Sequence, residues 1–431
     1  MIPLPPSVPI LLDGRPVEKI TAFLFPKGGN DDPKPLQANA GKSFIGSYVL
    51  GMGFTFDDTN PDATPIAEMH RLIEQNPKNA EVIFSYIGGS EVNSSPTHAH
   101  HRYVINFGEM TEVEAREWPD LIAIVEKKVK PKRLTQGSTV NPDRWWMFAR
   151  PASDLQQAIA GRDRVLFHPN VSQNLGFVFL ESNMVFAAPH NIFVLKEYTD
   201  FAVLQSRIHE DWARFLGSSM KDDLRYTPSD CFETFPFPED YETNSELENI
   251  GKTYYEYRAD LMIRNNQGLT DTYNRFHDPD ERDPEILKLR DLHDQMDRAV
   301  LNAYGWPDLD PVSGFALDYL DTDPDQTLPS TVQDRITSGD LFFATPAEAA
   351  AFDSLARTGK RKLPWRYRWP EITHDEVLAR LLELNHQRHE AELLAGKSSK
   401  TTAKKTPQTK KNTKKTMSKQ LNYLDPSAPE N

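Results

Sequence analysis

The sequence predicts an α+β protein: a mixed β-sheet region with flanking helices comes first, then a helical region, and last a disordered Lys-rich tail. The first half consists of short apolar or alternating runs separated by turn residues, which is typical of strands. From Glu246 onward, apolar residues recur at intervals of three and four, which is typical of amphipathic helices. Residues 397–420 contain nine lysines, no acidic residue and almost nothing apolar, so they cannot bury enough surface to fold.

The first half begins loosely and then alternates strands with helices. Residues 1–40 are rich in Pro, Gly, Asn and Asp, which predicts a loose connector. A helix is expected at residues 111–130, because Thr111 and Glu114 form a capping-box pattern before apolar residues at helical spacing. A second helix is expected at residues 201–215. Strands are predicted at 20–25, 48–56, 82–87, 102–107, 165–171, 176–180, 184–187 and 192–195.

The second half is mainly helical. Residues 228–238 contain three prolines and three phenylalanines, and they predict an extended segment anchored by core aromatic residues: Phe232, Phe235 and Phe237. The stretch 307–340 is rich in Pro and Asp and is expected to be irregular. Helices are predicted at 246–265 and 284–304, and two more open at Thr345 and Thr373.

Composition places limits on where the protein works. A chain of 431 residues predicts about three domains, and no stretch approaches the roughly 18 consecutive apolar residues of a membrane span. Cys231 is the single cysteine, which excludes an intrachain disulfide and a cysteine-based zinc cluster. Because the N-terminus also lacks the pattern of a secretory signal, we expect a cytoplasmic protein.

The charge distribution is uneven. The net charge of −14 includes the nine tail lysines, so the rest of the chain carries −23. Such an acidic body repels DNA as a whole, so any contact with nucleic acid requires local basic patches. The tail itself suits either weak, sequence-independent DNA binding or mere solubility, and its charge pattern does not separate the two.

The densest basic patch outside the tail ends the first predicted long helix. Five cations fall within seven residues: Lys127, Lys128, Lys130, Lys132 and Arg133. The helix dipole favours cations at this end, which is a purely structural explanation. In an acidic body, phosphate anchoring is the functional alternative. Arg144-Trp145-Trp146 and Arg150 follow, and then comes the polar run 168–174, whose Asn and Gln side chains are of the kind that reads adenine edges.

Catalytic signatures are missing. The sequence has no phosphate loop, no nucleophile elbow and no Asn/Asp-Pro-Pro-aromatic tetrapeptide of amino-methyltransferases. The histidines at 98, 100 and 101 have no carboxylate at ligand spacing, so no metal site is predicted. We therefore assign no catalytic residue.

Several longer segments resemble the C-terminal part of MmeI-like (type IIL) restriction–modification enzymes and related adenine-specific DNA methyltransferases. The resemblance covers roughly residues 15–310. The segments that carry it are KSFIGSYVLGMGFTFD (42–57), YIGGSEVNSSP (86–96), HRYVINFGEM (101–110), the WW…ARP run (145–151), GRDRVLFHPNVSQN (161–174), SSMKDDLRYTPSDCFETFPFP (218–238), GLTDTYNRFHDP (268–279) and LRDLHDQMDRAVLNAYGW (289–306).

This resemblance implies a domain division and a catalytic domain on another chain. It implies a connector from a missing methyltransferase domain (1–40), a DNA target-recognition domain (41–240), a helical C-terminal domain (241–315), an irregular segment with terminal helices (316–395) and a disordered basic tail (396–431). It implies that the chain recognises double-stranded DNA by sequence for an N6-adenine methyltransferase and is inactive alone. S-adenosylmethionine would bind a separately encoded methyltransferase subunit, with or without a nuclease, and no cofactor would bind this chain.

Within that frame we predict two groups of DNA-contacting residues. Phosphates would be bound by Lys130, Lys132, Arg133 and Arg150, and bases would be read by His168, Asn170, Ser172, Gln173 and Asn174. Two alternatives stay open: an inert product of a split or truncated methyltransferase gene, and a structural or protein-interaction factor that kept the fold.

Overall fold

The computed structural model describes residues 10–12, 15–135, 142–220, 223–317, 320, 328–357 and 362–396. The predicted basic tail lies outside the described residues from 397 onward. Within the described part, helices and mixed sheets alternate, which confirms the predicted α+β class. No helix of this part combines the length and the apolar composition needed to cross a membrane.

The strands are short and are numbered here in chain order. They are β1 Ile10–Leu12, β2 Arg15–Val17, β3 Ser43–Ile45, β4 Thr55–Phe56, β5 Ile83–Ile87, β6 Arg102–Ile105, β7 Arg164–His168, β8 Val171–Ser172, β9 Val178–Glu181, β10 Val185–Phe186, β11 Asn191–Phe193, β12 Ser218–Met220, β13 Asp223–Arg225, β14 Gly314–Leu317, β15 Phe342–Phe343 and β16 Trp365–Arg368.

The helices surround these strands and dominate the C-terminal half. They are α1 Ile66–Gln75, α2 Gly89–Ser94, α3 Glu112–Ala115, α4 Pro119–Lys128, α5 Lys130–Thr135, α6 Ser153–Ile159, α7 Tyr198–Gln205, α8 Arg207–Leu216, α9 Pro228–Cys231, α10 Ser245–Asn265, α11 Leu269–His277, α12 Pro284–Ala303, α13 Ser330–Ser338, α14 Pro346–Ala356 and α15 Glu371–Leu394.

Two four-stranded sheets form the centre of the first half. One has the order β10-β5-β6-β4, in which β10 and β5 run parallel and the other neighbours antiparallel. The other has the order β3-β11-β7-β9 and is antiparallel throughout. The first sheet packs with α4 and the Trp145-Trp146 pair around one apolar core. The second shares a larger core with α7, α8, α10 and α12, which joins the β region to the helical region.

Two of the predicted helices are interrupted, each at a residue with a clear local cause. Residues 111–130 form α3, α4 and the start of α5, because Pro119 lacks the N–H that would continue a helix from α3. The predicted capping box is present, with Thr111 and Glu114 bonded to each other's backbone N–H. The predicted helix 201–215 begins earlier, at Tyr198, and stops at Ser206, whose hydroxyl accepts the N–H of His209 and caps α8.

Three predictions for the less regular stretches were wrong. Residues 20–25 form a turn rather than a strand, with the Leu24 N–H bonded to the Thr21 carbonyl at 3.0 Å. The run 48–56 contains strand only at β4, since residues 52–54 form a 3-10 turn. The stretch 307–340 contains β14 and α13, because β14 pairs with β15 and β16, two strands distant in sequence.

The aromatic segment 228–238 is anchored in the core as predicted, but the expected extended chain is found only in its second half, because residues 228–231 form α9. The segment also anchors the early residues. Phe232, Phe235 and Phe237 are buried in the larger core. The Asn39 amide donates to the carbonyls of Phe232 and Phe235 at 3.0 and 2.8 Å. Leu36 donates its N–H to the Glu233 carbonyl at 2.8 Å. The early residues are thus held to the core in the described structure. The division of the chain into domains stays a prediction.

Candidate nucleic-acid interface

A polar cleft of about 250 Å³ opens where β8 ends. Its floor and rim come from the loop after β8, from α2, from β13 and from the first turn of α11. Besides Tyr273, six polar side chains line it: Asn93, Ser172, Gln173, Asn174, Asp223 and Thr270. Three of these belong to the predicted base-reading run 168–174.

Long-range backbone pairing positions this cleft. Strand β8 pairs with β13, so that Val171 lies opposite Arg225. Next to this pair, Asn170 and Tyr226 exchange two bonds: the Tyr226 N–H donates to the Asn170 carbonyl at 2.8 Å, and the Asn170 amide donates to the Tyr226 carbonyl at 3.1 Å. The cleft loop is therefore tied at its start to a strand more than fifty residues away in sequence.

The other wall of the cleft depends on a close approach between α2 and α11. A Cβ atom on Gly268, just before α11, would lie 2.2 Å from the Asn93 carbonyl oxygen. Only glycine allows that separation, so Gly268 lets the two helices meet. Behind this wall the buried Arg258 guanidinium donates to the Phe177 carbonyl at 2.6 Å and to the Tyr273 hydroxyl at 2.9 Å. The cleft is therefore built on rigid elements of both halves of the chain.

The predicted base-reading residues divide into supporting and exposed side chains. His168 is fully buried, and its Nδ1 pairs with the Gly176 carbonyl at 3.0 Å. Burial lowers the pKa of His168 to about 4, so the ring is neutral at physiological pH. Asn174 is buried and its amide oxygen accepts from Arg366 at 2.6 Å. The Ser172 hydroxyl donates to the Asn174 carbonyl at 2.8 Å, and the Asn170 amide is bonded to Tyr226.

Gln173 is the exposed member of this run. Its backbone carbonyl accepts from Arg214 at 3.1 Å, while its side-chain amide has no hydrogen-bond partner within the described part of the chain. The other four predicted residues therefore shape the loop, and Gln173 presents a free amide at the cleft. His168 has no surface at which to meet a base, because its ring lies against Phe177 with 4.9 Å between centroids.

The structure adds Arg225, which sequence reasoning missed. Its side chain is exposed on β13, directly across from Val171, and has no hydrogen bond or ion pair among the described residues. Arg225 lies in the 218–238 motif, and the β8–β13 pairing places it opposite Val171, which lines the cleft. No local signal in the sequence could have shown this pairing.

The predicted phosphate-binding residues also separate by exposure. The Lys130 ammonium pairs with Glu126 at 2.6 Å and lies 4.6 Å from the Trp145 ring centre. Lys132 is 65% exposed and has a long ion pair of 3.7 Å with Asp62. Arg133 is only 2% exposed, and its guanidinium donates to backbone carbonyls, including those of Val49 and Leu50 at 3.1 and 3.2 Å. Burial lowers the pKa of Arg133 to about 10, which still leaves it charged at neutral pH.

Arg133 is thus a structural cation, because both terminal nitrogens of its guanidinium donate to backbone carbonyls and almost no surface remains for a phosphate. Other cations nearby are available. The side chains of Lys127, Arg144 and Arg150 are exposed and have no hydrogen bond or ion pair among the described residues. We call these three residues with Lys130 and Lys132 the cationic edge.

A continuous chain of contacts links the cationic edge to the cleft. Tyr48 and Arg150 exchange backbone hydrogen bonds of 3.0 and 3.1 Å. Two residues before Tyr48, the Gly46 N–H donates to the His190 carbonyl at 3.1 Å. The His190 ring accepts from the Gly89 N–H at 2.8 Å and lies 3.4 Å from the backbone nitrogen of Asn170. Residues predicted separately from the sequence therefore belong to one connected framework.

Comparison with known protein families identifies the central segment. Residues 63–239 match the family model described as MmeI, target recognition domain. This range contains the run 168–174, Arg225 and the whole cationic edge. The match confirms, over these residues, the resemblance drawn from the sequence motifs.

Two individual proteins are similar over parts of the chain. DNA methyltransferase A of Bacillus subtilis (strain 168) is 32% identical over 104 residues, which is 24% of this chain and 10% of that protein. The solved structure of the type IIL restriction–modification enzyme MmeI in complex with DNA is 19% identical and matches with a TM-score of 0.47 over 78% of this chain and 39% of that chain. The chain thus spans about a tenth of the curated relative and well under half of the solved one.

Proposed function

We propose that this chain is the sequence-specific DNA recognition module of an adenine-specific DNA methyltransferase or restriction–modification system. The match of residues 63–239 to the MmeI target recognition domain carries the proposal. The cleft and the cationic edge support it, because they supply the two kinds of contact that sequence-specific DNA binding needs. One fixes the protein on the phosphates, and the other reads base edges.

Phosphate anchoring is the role of the cationic edge. The body of the protein carries a charge of −23 without the nine tail lysines, so binding depends on the few cations that have no acidic partner. Arg144 and Arg150 are the best placed, because a free guanidinium can bind phosphate oxygens through two donors. Lys130 would first have to leave Glu126, which makes its contribution smaller.

Base reading is the role of the cleft rim. A Gln amide can pair with both N7 and the N6 amine of adenine, and an Arg guanidinium with N7 and O6 of guanine. Gln173 and Arg225 have these groups exposed and free. The buried hydrogen bonds of His168, Asn170 and Asn174 hold the rim in a fixed position, which is what discrimination between bases requires.

Catalysis belongs to a partner in this proposal. The recognition module would place one adenine where a separately encoded methyltransferase subunit, with its own S-adenosylmethionine, flips it out and methylates N6. The curated relative is named DNA methyltransferase A, which supports the link to DNA methylation. The proposal includes a cytoplasmic location, and it holds with or without a nuclease on the partner.

The test is reconstitution. The chain is co-expressed with the neighbouring methyltransferase reading frame in a host that lacks adenine methylation, and modified adenines are mapped across the genome. We expect N6-methyladenine in one sequence motif with the pair and none with either subunit alone. Methylation by this chain alone, or methylation by the partner without it, would refute the division of labour. A pair that forms but methylates nothing would favour the inert gene product.

A further inference from the structure

Two apolar side chains stand out beside the cationic edge. Tyr48 is 38% exposed and Leu50 is 51% exposed, while Val49 between them is buried. Exposure therefore alternates along these three residues, and two large apolar groups lie on the outer face. Arg150, the backbone partner of Tyr48, is exposed as well. This face thus combines exposed apolar groups with a cation that has no protein partner.

The backbone at Leu50 is strained. Its φ is +43°, in the left-handed region that bulky side chains rarely adopt, and the adjacent Gly51 has φ +144°. Glycine or asparagine at position 50 would relieve this strain. Leucine gains little in return from packing, because Leu50 is about half exposed and lies outside the apolar core formed by its neighbours Val49 and Phe54. Strain of this kind, held in place by the surrounding structure, is typical of functional positions.

Arg133 explains how the strained segment is held. Its buried guanidinium donates to the carbonyls of both Val49 and Leu50, and also to that of Trp145 at 3.3 Å. On the far side, a Cβ atom on Gly53 would lie 2.5 Å from the Lys128 Cβ, so the chain is pressed against the end of α4. The segment is therefore fixed at both ends. The Leu50 side chain is held outward and cannot fold back into the core.

We propose that Leu50 is a wedge that inserts between stacked base pairs of the bound duplex. Apolar side chains used in this way open a base step and kink the helix, and they act beside cations that bind the flanking phosphates. Arg150 is placed for the flanking phosphate, and Tyr48 covers the opened step beside Leu50. The inference rests on the proposed DNA-binding function and adds to it a mechanism for unstacking, which lowers the barrier to flipping a base.

The experiment measures unstacking and binding separately. Duplexes carrying 2-aminopurine at successive positions report unstacking by fluorescence, and anisotropy of an end label reports binding to the same duplexes at low salt. With the wild-type chain we expect a several-fold rise in fluorescence at one base step. Leu50→Ala and Leu50→Gly should abolish the rise while weakening binding only modestly, and Leu50→Met should retain most of it.

Two controls separate the wedge from a general defect. Val113 is 81% exposed on α3, and Val113→Ala should change neither signal. Leu50→Gly relieves the positive φ, so its thermal unfolding midpoint should equal or exceed that of the wild type, which excludes misfolding as the cause of lost unstacking. Binding without any fluorescence rise, or an unchanged rise in Leu50→Ala, would refute the wedge and leave the proposed function standing. Failure to bind any duplex would refute both.

Discussion

Replacing Arg133 by methionine tests whether this residue stabilises the protein or binds DNA. Methionine keeps the apolar stem but removes every donor, so the carbonyls of Val49 and Trp145, which face a buried guanidinium, lose their partner. Hydrogen bonds from a charged group contribute about 1.5–3 kcal/mol each, and an orphaned buried acceptor costs about 1–3 kcal/mol. Counting two such carbonyls, and allowing for relaxation, Arg133→Met should lower the free energy of unfolding by about 3–5 kcal/mol.

Lys132→Met is the matched control. Lys132 lies one residue away but is 65% exposed, and its ion pair with Asp62 is 3.7 Å long. Exposed pairs of this kind contribute about 0–1 kcal/mol, so the variant should unfold almost as the wild type does. Both variants are compared by urea denaturation followed by circular dichroism. An Arg133→Met variant that is as stable as Lys132→Met, yet binds DNA less tightly, would refute the structural role of Arg133.

Three further predictions follow from the site. Burial lowers the pKa of His168 to about 4, so the unfolded chain takes up a proton that the folded chain does not as the pH falls from 6.5 towards 4, and stability is lost over that range. Burial lowers the pKa of His98, His190, His209 and His277 as well, so these residues share the effect. His168→Gln should therefore make the fall in stability less steep in urea titrations, and an unchanged slope would contradict this prediction. Arg150→Ala should weaken binding to all duplexes alike and reduce the salt dependence of binding, whereas Gln173→Ala should change the preferred base at one position. Equal effects of both variants on every sequence would refute the assignment of Arg150 to phosphates and of Gln173 to bases. Gly268→Ala places a Cβ atom 2.2 Å from the Asn93 carbonyl oxygen, so it should lower the free energy of unfolding by about 1–3 kcal/mol in urea titration. An unchanged urea midpoint would contradict this prediction.

The helical region could be predicted from the sequence because its signals are local. The apolar stripe of α12 and the caps at Asn244 and Asp283 lie within a few residues of the helices they define. The breaks at Pro119 and Ser206 have equally local causes, because proline lacks the N–H that continues a helix and serine caps the helix that follows it. Strands as short as β4 and β8 depend instead on distant partners, so their bounds could not be predicted.

The candidate site could be predicted only in part from the sequence, for the same reason. The run 168–174 was identified as polar, but its sequence does not say that His168 ends a buried strand while Gln173 lies exposed on a loop. The burial of Arg133 depends on carbonyls more than eighty residues earlier in the chain, at 49 and 50. Arg225 joins the site through strand pairing alone. In each case the sequence shows the residue type, whereas tertiary contacts decide whether the side chain is exposed or buried.

Selection from a randomised duplex library is the most direct test of the central claim that this chain chooses a DNA sequence. The purified full-length chain, without any partner, is incubated with the library at low salt, and bound duplexes are sequenced after repeated rounds. We expect enrichment of one short contiguous motif, with the preference at one position lost in Gln173→Ala. If the bound duplexes share no enriched motif, or if no duplex is bound, the central claim is contradicted.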